Sequence, residues 1–328
     1  MVCILKTPPE FKFTYHMVGI FLFTWSAAST VPPRKAFATT QYFKAAAKFE
    51  AAAKSLSLHD AKFEVRERLS HDHIKNVPAD FSYESSTHAF YQDATAGHIG
   101  RYCVIRKSLD PEYHGRYSED RQRLQDELLD DVLGSVRGRQ ANPWIIFTAG
   151  AMGSGKSRTF EWMAEQGIVP LQQMQILDPD MFKASLPEWR GLLDLDPLQA
   201  GFRTRKESGF LLEIAQESAL RDRKHIWVDG SLRDGEWYRS EFERIRQEYP
   251  AYKIAIVHVV ASRAVVLQRV QDRAAVTGRH VPISEIDDSL KRVPRSVGLL
   301  APLVEYAHGH THPNASLPEP PLPKHPAH

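Results

Sequence analysis

The chain has 328 residues, of which 42% are hydrophobic and 25% charged, and its formal net charge is +2. That is globular composition, long enough for one large domain or two modest ones, and it sets up no global field that calls for a nucleic-acid partner. Cys3 and Cys103 are the only cysteines, which excludes a disulfide framework beyond one bridge and fits a reducing compartment.

Charge is uneven along the chain. Residues 1–54 hold seven Lys and Arg against Glu10 and Glu50, a surplus of +5, so the remainder carries −3 to reach the net +2. Within this region "MVGIFLFTWSAASTV", Met17 to Val31, is apolar behind a basic start, with Ser26 and Ala28 as small residues for a cleavage site. It reads as an organelle (mitochondrial or plastid) targeting sequence, as a signal peptide or anchor, or as an ordinary N-terminal helix, and any membrane association would run through it. The following "FKAAAKFEAAAK" is helix-prone, with lysine spacing that suits a soluble helix. Residues 1–55 are therefore set apart from the fold.

Residues 56–140 are mixed and polar, and are expected to form a helical extension packed on the core. Their clearest element is "SEDRQRLQDELLDDVLGSV", Ser118 to Val136, where Ser118 is placed to cap a helix and Leu124, Leu128, Val132 and Val136 recur at helical spacing. "RGRQANP" then reads as a short linker.

From Pro143 the pattern changes. The apolar runs "WIIFTAG", "MQILDPD", "HIWVDGS" and "YKIAIVHVVA" alternate with the helical stretches "SRTFEWMAEQG", "ESGFLLEIAQESALRDRK" and "WYRSEFERIRQEYP". Buried strands alternating with helices predict an α/β domain over 141–310: a doubly wound parallel sheet of the P-loop NTPase type, covered on both faces. "PLVEYAH" near Leu303 suggests a last strand. Residues 311–328 are Pro-rich and read as a disordered tail, and "HGHTHP", His308 to Pro313, reads as part of a solvated tail despite its histidines.

Gly150-Ala151-Met152-Gly153-Ser154-Gly155-Lys156-Ser157 satisfies G-x-x-x-x-G-K-[ST] between a strand pattern and a helix pattern. The glycines let backbone N–H groups wrap phosphates, and the helix that follows directs its positive end at them. Lys156 is placed for the β- and γ-phosphates and the Ser157 hydroxyl for Mg²⁺; Arg158 is assigned to the nucleotide with them. The next strand ends in Asp178 and Asp180, where a small kinase needs a carboxylate to accept the proton of an attacking hydroxyl or to help hold Mg²⁺. The competing reading makes Asp180 a helix N-cap, with Pro179 keeping the two carboxylates out of one helical turn. Arg269 and Arg273 lie four apart on a helix, spaced to clamp a triphosphate. Arg279 follows Gly278, a helix end and lid hinge. Asp229 ends a buried strand, where ligands of open α/β sheets gather, and is assigned to Mg²⁺ or to the acceptor.

The phosphate loop, "LDPDMFKASLPEW", "EIAQESALRDRKHIWVDGSLR" and "LQRVQDRAAVTGRHVP" occur in the order found in the zeta-toxin family of small-molecule kinases, and residues 143–297 resemble it. The resemblance implies ATP and Mg²⁺ as cofactors. It implies Asp180 as general base with Asp178 supporting it, and Glu213 and Asp229 holding hydroxyls of the acceptor. Ser231 and Arg233 would meet the acceptor's polar or anionic groups, and Arg269 and Arg279 would close over the phosphates. Asp229 is shorter than the family's usual Glu, and Leu232 stands where Gly is common. The long N-terminal flank looks like that of eukaryotic zeta-domain proteins.

The expected reaction is transfer of the γ-phosphoryl group of ATP to a hydroxyl of a small molecule, by resemblance a nucleotide sugar such as UDP-N-acetylglucosamine. Chloramphenicol phosphotransferases and polynucleotide kinases share part of the pattern. A kinase acting on a nucleic-acid 5′-hydroxyl would need a basic groove with stacking aromatics, and the sequence has no dense stripe of that kind. A regulatory nucleotide-binding module without turnover is the other alternative, against which Lys156, Ser157 and Asp180 argue. The acceptor's identity and the oligomeric state are not encoded in any of these patterns.

Overall fold

The computed structural model describes residues 77–277 and 280–311; the predicted N-terminal segment, Arg279 and the tail beyond Thr311 lie outside them. Among the described residues no helix is long and apolar enough to cross a membrane.

The strands are β1 (Trp144–Ala149), β2 (Met174–Leu177), β3 (His225–Asp229), β4 (Lys253–Val260) and β5 (Tyr306–Thr311). All pair in parallel, in the order β2-β3-β1-β4-β5. Side chains alternate across such a sheet, and here both faces are apolar. Ile145, Phe147, Ile226, Val228, Ile254 and Ile256 enter one core; Ile146, Trp227, Ala255, Val257 and Val259 enter the other. On the second face Trp227 stacks on Phe160 with ring centroids 4.0 Å apart. Each fully buried side chain of this size contributes about 1.5–3 kcal/mol, which is why the strands read as continuous apolar runs.

Among the described residues four helices precede the sheet: α1 (Thr87–Tyr91), α2 (Cys103–Ser108), α3 (Pro111–His114) and α4 (Glu119–Leu133). Ser118 caps α4 by accepting from Arg121 N, and Leu128 and Val132 are buried as their spacing predicts. Between and after the strands come α5 (Lys156–Glu165), α6 (Pro179–Ser185), α7 (Trp189–Leu195), α8 (Ala200–Arg203), α9 (Arg205–Arg221), α10 (Gly235–Glu248), α11 (Arg263–Thr277) and α12 (Ile283–Leu300). The sequence reading did not anticipate α12, which carries Pro294 in its interior and packs against α10.

The extension is continuous with the kinase core. Tyr102, Ile105, Tyr117, Leu128 and Leu129 share one cluster with Phe147, Phe210 and Val228. A buried ion network fastens it further. Arg121 of α4 donates to Glu188 Oε1 and Oε2 at 2.9 and 3.0 Å and to Glu207 Oε1 and Oε2 at 2.7 and 2.9 Å. The Tyr91 hydroxyl donates to Glu188 at 2.5 Å, Gln125 donates to Glu207 at 2.9 Å, and the Tyr91 ring lies 3.8 Å from the guanidinium. Local spacing does not signal these partners, which lie 67 and 86 positions along the chain from Arg121.

The connection "RGRQANP" is tied to the turn after α9: Gln140 N donates to Arg223 O at 2.8 Å, and Arg223 Nη2 donates to Ala141 O at 2.6 Å. One expectation needs correction. His308 to Thr311, read as solvated tail, belongs to β5, pairing from His308 with Val257 to Thr311 with Val260. A sheet edge is held by backbone hydrogen bonds on one side only, so an apolar run is not required there.

Candidate active site

The phosphate loop leaves β1 at Gly150 and enters α5 at Lys156. Gly150 has φ 150°, and a Cβ there would lie 2.6 Å from both Ser154 Oγ and Val259 O; at Gly153, φ 83°, it would lie 2.9 Å from Val266 O. Neither position has room for a side chain, so the loop closes tightly on β4 and α11. Gly150 N donates to Ser231 O at 3.1 Å, tying the loop to the exit of β3. Lys156 Nζ folds back onto Gly150 O and Ala151 O at 3.1 and 3.2 Å. Arg269 Nη1 donates to Ser154 O at 3.1 Å and Gly153 O at 3.4 Å. Two cations thus rest on the loop carbonyls, while the first turn of α5 presents N–H groups that have no intrahelical partner.

Three strand-end carboxylates converge on this loop. Asp229 pairs in register with Thr148; its Oδ1 accepts from Thr148 Oγ1 at 3.1 Å and its Oδ2 from Ser157 Oγ at 3.2 Å. Asp178 is buried at the end of β2 and caps α6, accepting from Asp180 N at 2.8 Å. Pro179 is the first residue of that helix and Asp180 lies in its first turn, so Pro179 starts the helix instead of separating the two carboxylates, and the cap is Asp178. Proline's fixed φ suits that first position. Asp180 is half-buried and pairs with Lys183 at 3.2 Å. Burial holds the Lys156 ammonium below its ordinary pKa; Asp229, Asp180 and Asp178 act in the opposite sense, and Arg273 acts with burial. Carboxylates and arginine from three separate elements therefore act on one ammonium group.

The remaining expected residues are placed differently. Glu213, on α9, accepts from or pairs with His114 Nε2 of α3 at 3.0 Å. Arg233 pairs with Glu285 and with Asp288, the latter at 3.4 Å, both on α12, so its guanidinium is already engaged by acids. Arg158 is exposed and faces Glu161 and Glu165 of its own helix at 3.3 and 3.6 Å; its side chain is not brought to the loop. Leu232, where the resemblance led us to expect Gly, has φ 56° and is buried. The left-handed conformation is kept although the residue is not glycine, at about 1–2 kcal/mol of strain. His114 was missed because nothing local in "PEYHG" signals a partner 99 positions away.

The donor set can be tested against the metal. Among the described residues no group of three or more His, Cys, Asp or Glu side chains could hold an ion. Mg²⁺ needs no such cage, since it is bound through one or two protein oxygens together with substrate phosphates. The Ser157 hydroxyl and Asp229 carboxylate, 3.2 Å apart beside the loop, are hard oxygen donors of that kind.

A five-stranded parallel sheet whose first strand runs into this glycine loop, flanked by strand-end acids, defines a P-loop phosphotransferase fold. The family model described as zeta toxin matches residues 126–306, more than half of the sequence, and the chain belongs to that family. No curated protein matched the chain significantly. Among solved structures, the PezAT chromosomal toxin-antitoxin system of Streptococcus pneumoniae is similar at 14% identity and TM-score 0.51, covering 60% of this chain and 79% of that one. The AvrRxo1-ORF1:-ORF2 complex is similar at 17% identity and TM-score 0.48, covering 69% and 73%. At such identities the likeness concerns the fold alone.

Proposed function

We propose that the protein transfers the γ-phosphoryl group of ATP to a hydroxyl of a small acceptor, a nucleotide sugar such as UDP-N-acetylglucosamine. The observation that carries this reading is the bridge from Thr148 through Asp229 to Ser157 beside the phosphate loop, with Asp180 acting on Lys156 from the neighbouring strand end. In the reaction a bond forms between the acceptor oxygen and the γ-phosphorus, the bond to the β–γ bridging oxygen breaks, and ADP leaves. Asp180 accepts the proton of the attacking hydroxyl and orients it for attack. Lys156 swings from the loop carbonyls to the phosphates, and Arg269, already on the loop, stabilises charge on the group in transit. Ser157 and Asp229 would hold Mg²⁺, which when bound neutralises the β- and γ-phosphate oxygens. Both oxygens of Asp229 face donors at the loop, which supports the metal side of its expected role over the acceptor side.

The test is transfer from γ-labelled ATP by the full chain to a panel of nucleotide sugars, nucleosides and oligonucleotides. A nucleotide sugar is expected to be labelled, and Lys156→Ala and Asp180→Asn are each expected to lower kcat by about 10²- to 10⁴-fold. No transfer to any acceptor, or equal transfer by wild type and Lys156→Ala, would sink the kinase reading.

A further inference from the structure

Glu213 is held from outside the phosphate-loop domain. His114 ends α3, a four-residue helix pinned at both ends. Asp110 caps it, accepting from Glu112 N and Tyr113 N at 2.9 and 3.2 Å, and Gly115 closes it in the left-handed region at φ 67°. A Cβ at Gly115 would lie 2.2 Å from Gln92 Nε2, so a side chain there would have to displace that amide. The imidazole is buried and packs against Phe210 with ring centroids 4.7 Å apart. Since an ionised carboxylate only accepts, the imidazole Nε2 carries the proton and donates to Glu213 Oε2 at 3.0 Å. Among the described residues Nδ1 has no hydrogen-bond partner, so Glu213 is the polar group that this side chain engages.

Glu213 itself stays partly open, with a quarter of its side chain exposed (25%) against 2% for His114. Its charge helps push the Tyr238 phenol up, after burial, and Tyr238 Oη lies 3.4 Å from where a Cβ would stand at Gly230, the residue after Asp229, so Tyr238 links Glu213 to the exit of β3. One oxygen of Glu213 is fixed by a buried donor while the carboxylate keeps an exposed side. That is the arrangement by which a second residue orients a ligand-binding group.

We propose that His114 is a positioning residue for Glu213, setting the carboxylate that receives the acceptor's hydroxyls, so that the acceptor half of the site is completed by the segment preceding the phosphate-loop domain. This rests on the kinase reading above and on the acceptor role that the family resemblance gives Glu213. The experiment uses the full chain, ATP, and UDP-N-acetylglucosamine or whichever panel acceptor is labelled. His114→Phe keeps the ring against Phe210 and removes the donor; His114→Gln keeps a donor. His114→Phe is expected to raise the acceptor KM about ten- to a hundredfold, the range of a hydrogen bond to a charged group, with the KM for ATP within about twofold of wild type. His114→Gln recovers most of the loss, and His114→Phe adds nothing in a Glu213→Gln background. If His114→Phe does not fold, His114→Leu takes its place. Equal effects on ATP and acceptor, additivity with Glu213→Gln, or an acceptor KM indifferent to His114 while Lys156→Ala abolishes transfer would overturn this proposal alone. Transfer that is absent in the wild type, or unchanged by Lys156→Ala, overturns the kinase reading and this proposal together.

Discussion

Arg121→Met is the most informative test of how the extension is joined to the kinase core. The substitution keeps a long side chain and removes the one cation from between Glu188 and Glu207, neither of which is exposed to solvent at all. Breaking a buried ion pair by deleting one partner costs about 3–5 kcal/mol. Here two carboxylates are left behind, so the upper end, about 5 kcal/mol, is expected at pH 8. For a domain of this size that is a fall of roughly 10–20 °C in Tm. The pH dependence has a definite sign. Burial alone would raise the Glu207 carboxyl, but Arg121, by its charge and its hydrogen bonds, together with the hydrogen bond from Gln125, outweighs it and holds the pKa below the ordinary value. A depressed carboxyl adds stability above its unfolded pKa, and this is lost only as pH falls through the folded value. In Arg121→Met the largest influence opposing burial at Glu207 is gone, that carboxyl rises, and protonation relieves the variant. The deficit is therefore expected to shrink between pH 8 and pH 5, and to be largely removed when Glu188→Gln and Glu207→Gln are added. Urea unfolding of both chains at the two pH values measures it. A loss below about 1 kcal/mol, or a deficit equal at pH 5 and pH 8, would refute the assignment of this network as the join.

Three further outcomes are expected. Gly153→Ala places a Cβ 2.9 Å from Val266 O in a positive-φ position, so it is expected to weaken ATP binding at least tenfold, read by calorimetry; unchanged binding would contradict the tight closure of the loop on α11. Leu232→Gly relieves about 1–2 kcal/mol of left-handed strain but deletes a buried side chain worth about 2–5 kcal/mol. A net loss of about 1–3 kcal/mol is expected in urea, and a gain would show that the departure from glycine is not compensated by packing. His88 is held at a pKa of about 4 by burial, then by Lys206. A histidine depressed from 6.5 keeps its full contribution above the unfolded value and loses it as pH falls towards the folded one. Wild type is thus expected to lose about 2 kcal/mol more than His88→Gln between pH 7 and pH 4, and parallel pH curves for the two chains would remove His88 from the acid response.

Fold and phosphate loop were legible because their causes are local. Both faces of the sheet are buried, so Ile145 through Phe147 and Ile254 through Val257 show as apolar runs, and a glycine loop needs small residues at fixed positions whatever surrounds it. Asp229 and Asp178 were legible as strand ends for the same reason. The split between Asp178 as cap and Asp180 as first-turn residue was only half visible, because a proline between two carboxylates serves equally as separator and as helix start. The edge strand β5 was misread from His308 onward, since a backbone ladder at an edge leaves no apolar signature. Arg233 and Arg158 illustrate a different gap. Their types suit phosphate and anionic acceptors, but Arg233 meets carboxylates brought by the packing of α12, whereas Arg158 meets Glu161 three residues on in its own helix, a pairing local spacing allows.

The sequence by itself determined the parallel α/β sheet, the nucleotide loop and the acids at its strand ends, because period, glycine placement and strand termini are written in neighbouring residues. Only the tertiary structure decided that the preceding helices are part of the same molecule's core and engage acids of the phosphate-loop domain. Arg121 meets Glu188 and Glu207 across 67 and 86 positions, and His114 meets Glu213 across 99. Nothing in local spacing can encode such partners. They exist because low exposure forces every buried charge to find its complement, and the fold alone determines which complement is within reach.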